Sequence, residues 1–427
     1  MMREMKDSGI KWVHDIPKSW NVTRGKYLFI NKKEVVGAKV DEFERLALTM
    51  NGVIKRSKDD SDGLQPDKFD TYQILRKNEL VFKLIDLQNI STSRVGLSPY
   101  VGIVSPAYII LKAQKNMLPE YAEKYYLMMW KNQVFNALGD SGVRSSLNAK
   151  ELLELSVPVP PLDEQKKIAD FLDKKCGEID SISQDVQKQV EVLEEYKRSA
   201  IIEAVTHGLN PSAPMKDSGT AWLNKIPEHW TTKKGKYIFY TRNTKGNSIN
   251  LELLSPTQKF GVIPQSKYEE LSTQVTVKVN ERTNLMSFKT IHKGDYCISL
   301  RSFEGGFEYS DYEGVVSPAY TVFYPAVKVD RRYYKYLFKI KPFIAEMNSY
   351  SLSLRDGKPI SFDDFGNTLI PIPPQDEQKE IADYLDKKCS EIDSVIADKK
   401  AQLETIEKYK KSLIYEYVTG KKEVINE

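Results

Sequence analysis

Cysteine and histidine are scarce in this chain. Its 427 residues hold three cysteines and four histidines. The cysteines, Cys176, Cys297 and Cys389, show no C-x-x-C spacing, and too few histidines accompany them for a zinc site. So few thiols exclude a disulfide-stapled secreted fold, and buried structural thiols are expected instead. Long apolar runs are missing too: no stretch approaches the roughly 18 uncharged residues of a membrane span. The first residues, MMREMKDSGIKW, lack the apolar core of a signal peptide, so a cytoplasmic location is expected. A nucleotide-binding loop is also lacking. The Gly-Lys pairs at Gly25, Gly235, Gly357 and Gly420 are followed by Tyr27, Tyr237, Pro359 and Lys422, never by the Ser or Thr that a P-loop needs.

What is present occurs twice. PVPPLDEQKKIADFLDKKCGEIDSI from Pro158 returns as PIPPQDEQKEIADYLDKKCSEIDSV from Pro371, and Cys176 with Cys389 and Tyr196 with Tyr409 keep the same offset of 213 residues. An earlier unit, MKDSGIKWVHDIPKSW from Met5, returns from Met215 as MKDSGTAWLNKIPEHW at an offset of 210. The chain is a tandem duplication. With 41% hydrophobic and 29% charged residues it has the composition of a folded, globular protein. Its length calls for more than one core.

Net charge is only +4, but it is divided unevenly. Residues 1–157 carry 24 Lys and Arg against 19 Asp and Glu, and 206–370 carry 22 against 16. The blocks 158–205 and 371–427 are acidic, with 7 against 11 and 10 against 13. Basic blocks that meet a polyanion, alternating with acidic blocks that meet protein, would produce this pattern.

Within the basic blocks, β-branched and aromatic runs at Phe43–Met50, Glu79–Asp86 and Gly102–Leu111 predict strands, punctuated by Asn51-Gly52, Asp62-Gly63 and Ser98-Pro99. Leu118–Leu138 has a helical period. The second block matches, with strands predicted at Thr273–Val279, Tyr296–Arg301 and Val315–Tyr324 and a helix at Asp330–Tyr350. Ile16-Pro17-x-x-Trp20 and Ile226-Pro227-x-x-Trp230 read as packing clips. The run Val104-Ser-Pro-Ala-Tyr108 recurs at Val316–Tyr320, whereas 55–94 has no evident counterpart in 250–303.

Each acidic block reads as one long helix. Pro160-Pro161 and Pro373-Pro374 suit the approach to a first turn, and Asp163-Glu164 and Asp376-Glu377 oppose the helix dipole. The steps Leu172, Ile179, Ile182, Val186, Leu193, Tyr196, Ala200 and Leu385, Ile392, Val395, Ile406, Tyr409, Leu413 predict a coiled-coil seam, with Lys175, Gln189, Lys388, Lys399 and Gln402 as polar positions that set register. Each helix covers roughly forty residues, or about 60 Å. The expected architecture is a mixed α+β fold. Two globular domains are joined by two long helices in an antiparallel coiled coil of pseudo-two-fold symmetry, divided as 1–157, 158–210, 211–370 and 371–427.

The motif P-x-P-P-x-x-E-Q-x-x-I-A-x-x-L, present from Pro158 to Leu172 and again from Pro371 to Leu385, resembles the DNA-specificity subunit of type I restriction-modification systems. The likeness spans the whole chain and includes the Ile-Pro-x-x-Trp units and the Ser-Pro-Ala-Tyr runs. It implies a target-recognition domain in each globular block, each reading one half of a bipartite, asymmetric sequence of double-stranded DNA. The helices would then be a ruler and a dock for two methyltransferase subunits, through which restriction subunits carrying motor and nuclease join. The docking candidates carried over are Pro160, Glu164, Gln165, Ile168 and Leu172, with Pro373, Glu377, Gln378, Ile381 and Leu385.

No catalytic role is expected of the chain itself. The Asn/Asp-Pro-Pro-aromatic motif of such methyltransferases is missing, since Leu162 and Gln375 follow the two Pro-Pro pairs. S-adenosylmethionine, ATP and Mg are accordingly expected only in partner subunits, with no cofactor or metal held here. Asp163-Glu164-Gln165-Lys166 could be misread as a nuclease's acidic-x-lysine element, but its first-turn position fits dipole compensation better. Basic and hydroxyl-bearing segments supply the DNA-contact candidates: Lys55, Arg56 and Lys58; Ser91, Ser93 and Arg94; Arg144 and Ser145; Arg301 and Ser302; Arg355 and Lys358. Arginine can read guanine bidentately, while lysine and hydroxyls mainly hold phosphate. The alternatives are a coiled-coil adaptor whose two globular blocks bind protein or carbohydrate, and an active nuclease or methyltransferase with degenerate motifs.

Overall fold

The computed structural model describes residues 3–60, 68–87, 93–138, 146–246, 251–271, 287–298, 306–350 and 360–425. It divides into two compact units. One combines Met1–Gln187 with Lys400–Glu427, and the other is Lys188–Lys399. The long helices are Leu162–His207 and Gln375–Val418, 46 and 44 residues. Each unit therefore contains the first half of one long helix and the second half of the other.

Both units use one frame. In the first, the strands Phe29–Asn31, Ile109–Ala113, Leu80–Phe82 and Val95–Leu97 form an antiparallel sheet in that order. Its counterpart in the second runs Phe239–Thr241, Thr321–Pro325, Tyr296–Ile298 and Phe307–Tyr309. A hairpin stands beside each sheet, Arg45–Thr49 with Gly52–Arg56 in one and Leu254–Thr257 with Gly261–Pro264 in the other. Each hairpin adjoins, in parallel, the strand that precedes the Ser-Pro-Ala-Tyr turn, by the pairs Arg45 with Ile103 and Leu253 with Val315. Glycine is required at that junction: a Cβ on Gly102 would lie 2.5 Å from the Glu44 carbonyl, and on Gly314 2.3 Å from that of Glu252. The blocks that look dissimilar in sequence thus share a topology.

Helices cover one side of each core. The periodic run from Leu118 becomes two, Pro119–Lys131 and Val134–Leu138, because Gln133 takes a left-handed φ of 57°. The run from Asp330 also splits, into Arg331–Leu337 and Lys341–Ser349, with Pro342 in the first turn of the second helix, where it lacks no bond. The predicted strand Thr273–Val279 lies outside the described residues.

The long helices pack with opposite direction inside each unit. Lys197 pairs with Asp393 in one and Lys410 with Asp180 in the other, both at 2.5 Å, and these pairs are 213 residues apart in the duplication. Burial corrects the predicted seam. Leu172, Ile179, Val186 and Leu193 do lie along it, but their companions are Cys176, Ser183, Val190 and Lys197, one position beyond the row Lys175, Ile182, Gln189 and Tyr196. Ile182, Tyr196, Val395 and Tyr409 stay exposed. The second helix decides the matter, because Cys389, Ile396 and Leu403 make a more apolar row than Lys388, Val395, Gln402 and Tyr409. All three cysteines are free thiols. Among the described residues no helix is long and apolar enough to cross a membrane.

Candidate DNA-recognition and docking surfaces

The duplicated motifs meet in a clasp that each unit builds independently. Trp20 is fully buried, its ring edge-on to Tyr121 at 6.5 Å, and its Nε1 donates to Glu164 Oε2 at 2.9 Å. Trp230, Tyr333 and Glu377 repeat this at 6.4 Å and 2.9 Å. The tyrosine hydroxyls donate to the last turn of the incoming half-helix, Tyr121 to the Val418 carbonyl at 2.9 Å and Tyr333 to the Val205 carbonyl at 2.8 Å. Burial pushes both phenols well above their ordinary range.

Beside the tryptophan, the motif glutamine ties helix to module. Gln165 accepts from the Leu118 amide at 2.8 Å and donates to the carbonyls of Asn116 and Pro160 at 3.1 and 2.9 Å. Gln378 accepts from the Asp330 amide at 2.9 Å and donates to the Pro373 carbonyl at 2.8 Å. Glycines close the clasp with left-handed φ: a Cβ on Gly420 would lie 2.4 Å from Pro17, and one on Gly208 2.9 Å from Glu377. A further tie has diverged. Lys124 reaches Asp173 at 2.6 Å in one unit, and Tyr336 reaches Asp386 at 2.7 Å in the other. Burial works to lower the Lys124 pKa, but Glu123 and Asp173 hold it above its usual value.

This geometry turns the docking candidates inward. Pro160, Gln165, Ile168, Leu172, Pro373, Gln378, Ile381 and Leu385 are buried, and Glu164 and Glu377 are spent on tryptophan, with Arg3 and His229 beside them. Their chemistry joins module to helix rather than facing outward. The Trp motif reads in sequence as packing; that its indole and the acidic first turn form one hydrogen-bonded pair has no local signal.

Of the DNA-contact candidates, Lys55, Arg56 and Lys58 lie on the second strand of the first hairpin and the turn after it. Lys55 pairs with Glu44 at 2.6 Å and stands 5.4 Å from the Tyr100 ring. Arg56 pairs with Asp60 at 2.6 Å, and Lys58 donates to the Val40 carbonyl at 2.7 Å. Exposed Met50 and Ile54 share this hairpin. Arg94 and Ser93 are interior: the Arg94 guanidinium donates to the carbonyls of Ile85 and Asp86, and burial lowers its pKa. Ser91, Arg144, Ser145, Arg301, Ser302, Arg355 and Lys358 fall outside the described residues. The second unit offers a hairpin that the sequence reading missed, with Lys259 Nζ 5.1 Å from the exposed Phe260 ring at its tip. Among the described residues no cluster of His, Cys, Asp and Glu could hold a metal ion.

Known proteins resemble the chain along its length. The model of the type I restriction modification DNA specificity domain matches twice, over residues 20–192 and 221–405. The type I restriction enzyme MjaVIII specificity subunit of Methanocaldococcus jannaschii is 25% identical over 100% of this chain and 99% of its own length. The putative MjaX specificity subunit of the same organism is 28% identical over 73% of this chain and 70% of its own. In fold, a chain from a structural study of complex assembly and conformational transition of the type I R-M system aligns over 95% of this chain and 99% of its own, with a TM-score of 0.68 at 13% identity. With two specificity domains covering most of its length, the chain belongs to the family of type I restriction-modification specificity subunits.

Proposed function

We propose that this chain is the non-catalytic, sequence-reading subunit of a type I complex, with each module reading one half of a bipartite, asymmetric DNA target. Two methyltransferase subunits dock on it, one per unit, and restriction subunits join through them in the cytoplasm. S-adenosylmethionine, ATP and Mg enter with those partners. One observation carries the reading. The two units repeat the Trp–Glu–Tyr clasp, the four-stranded sheet and the long-helix pairing, yet the hairpins beside them carry different residues, Met50, Ile54 and Lys55 against Lys259 and Phe260. A common frame serves two copies of one partner, and divergent hairpins serve two different half-sites.

The test is DNA binding of the chain with its methyltransferase subunit, across ionic strength, together with mapping of methylated adenines in the host genome. Affinity falls steeply with salt while preference for one bipartite asymmetric motif persists. Sequence-blind binding at every salt concentration refutes the reading.

A further inference from the structure

The two hairpins differ at their tips. Thr49 Oγ1 donates to the Gly52 carbonyl across a turn of two residues, Met50 and Asn51, whereas Thr257 Oγ1 donates to that of Gly261 across three, Gln258, Lys259 and Phe260. What lies beneath them differs too. Glu308, on the strand Phe307–Tyr309, and Lys339, just after the helix Arg331–Leu337, correspond to Gly96 and Leu127 of the first unit by the spacing that relates Tyr333 to Tyr121. An acid and a base stand in one unit where the other has two residues without charge.

The first unit fills this place with carbon. A Cβ on Gly96 would lie 2.8 Å from the Leu48 side chain and 3.2 Å from that of Val53, both of the hairpin. In the second unit Glu308 is wholly buried; its Oε1 accepts from Lys339 Nζ at 2.6 Å, and its Oε2 finds no hydrogen-bond partner among the described residues. Lys339 Nζ also reaches the Gln258 carbonyl at 3.5 Å, in the longer turn. A buried ion pair adds little net stability, because the cost of desolvating two charges offsets their attraction, and an apolar pair in its place is often as stable. The first unit shows that the shared frame closes without one. What carbon cannot do is hold a carbonyl: a lysine anchored on a buried carboxylate has little freedom left and fixes the turn that it reaches. That turn carries Lys259 and the exposed Phe260 ring.

We propose that Lys339, anchored by Glu308, is a positioning residue that fixes the turn 258–260 for reading the second module's half-site, a role that Gly96 and Leu127 cannot supply in the first. The inference rests on the function proposed above and names what sets one of its reading elements. The groups facing the Glu308 carboxyl are the Lys339 ammonium and, across the strand pair, the Cys297 thiol, which burial keeps protonated. Burial pushes the carboxyl up to about 7, so a fall in pH through that value protonates it and releases Lys339.

The test measures the affinity of the full chain with its methyltransferase subunit for the target duplex and for duplexes with one changed base pair in either half-site. Wild type discriminates by about tenfold or more at each. Lys259→Ala with Phe260→Ala marks the half-site that this tip reads. Glu308→Gln with Lys339→Met leaves no charge buried; it melts within about 2 °C of wild type, loses most discrimination at the marked half-site and stays within about twofold of wild type at the other. Lowering the pH from about 8 to about 6 weakens wild-type discrimination at the marked half-site only, and the pair variant shows no such change. Discrimination that the pair variant keeps, or loses equally at both half-sites, overturns the positioning role and leaves the functional reading standing. So does a wild-type discrimination that ignores pH, or a tip variant that changes neither half-site. Loss that comes with a melting point more than about 5 °C lower makes the pair a structural tie and overturns the role as well. A wild-type complex that discriminates at neither half-site overturns the functional reading itself.

Discussion

Replacing Gln165 by methionine keeps the side chain's length and volume but removes its polar atoms. Gln165 is 0% exposed, and the change strands three backbone groups: the Leu118 amide and the carbonyls of Asn116 and Pro160. An unmet buried polar group costs about 1–3 kcal/mol, and local relaxation recovers part of the sum, so the loss should be about 3 kcal/mol. For a unit of this size that is a fall of about 6–12 °C in the melting temperature of the affected transition. Gln378→Met strands two groups, the Asp330 amide and the Pro373 carbonyl, and should cost about 2 kcal/mol in the other unit. Calorimetry of the full chain supplies the melting shifts. Hydrogen exchange read by mass spectrometry follows the amides of Leu118 and Asp330, each of which should lose protection only in its own variant. A Gln165→Met protein that melts within about 1 °C of wild type, with Leu118 still protected, would refute the clasp as an energetic tie.

Glu308 is wholly buried with Lys339 at 2.6 Å, and burial pushes its carboxyl up to about 7 against the lysine's pull. The folded state then holds its proton more tightly than the unfolded one, so this residue's stabilisation is complete below about pH 4.5 and fades as pH rises to about 7. Glu308→Gln should flatten that slope and raise stability at pH 8 by on the order of 1–3 kcal/mol; an unchanged pH profile contradicts it. Double-mutant cycles on Lys410 with Asp180 and Lys197 with Asp393 should each give a coupling of about 0.3–1 kcal/mol that shrinks in 1 M salt, and a salt-insensitive coupling above about 2 kcal/mol would show the pairs are not solvent-screened. Burial raises all three thiol pKa values, with Cys297 wholly enclosed. In native protein at neutral pH, Cys297 should alkylate at least tenfold more slowly than in urea, and equal rates refute its enclosure.

Repetition was the legible part of this sequence. The duplicated prolines, the acidic first turns and the heptad steps placed both long helices, because helix signals are local. The seam was off by one row, since Leu172, Ile179, Val186 and Leu193 belong to two candidate stripes and only the facing helix chooses between them. The clasp was visible as motifs but not as chemistry: Trp20 and Glu164 are 144 residues apart, and nothing near either names the other. The hairpin at Leu254 escaped because Pro256 and Pro264 argue against strands, and both lie in its ladder all the same. Arg94 looked like a contact because it follows Ser-Thr-Ser, but a basic residue in a polar run can equally turn inward to brace backbone carbonyls, as it does here.

The division into half-helices has a consequence for synthesis. The unit Lys188–Lys399 is continuous in the chain, so it can close as soon as its last residues emerge. The other unit has its module at the beginning and its closing half-helix at the end: Tyr121 waits for Val418, 297 residues later. The module translated first is therefore completed last, and until then its Trp20 pocket lacks the helix end that covers it. A chain interrupted just after Lys399 holds one finished unit and one with its clasp still open.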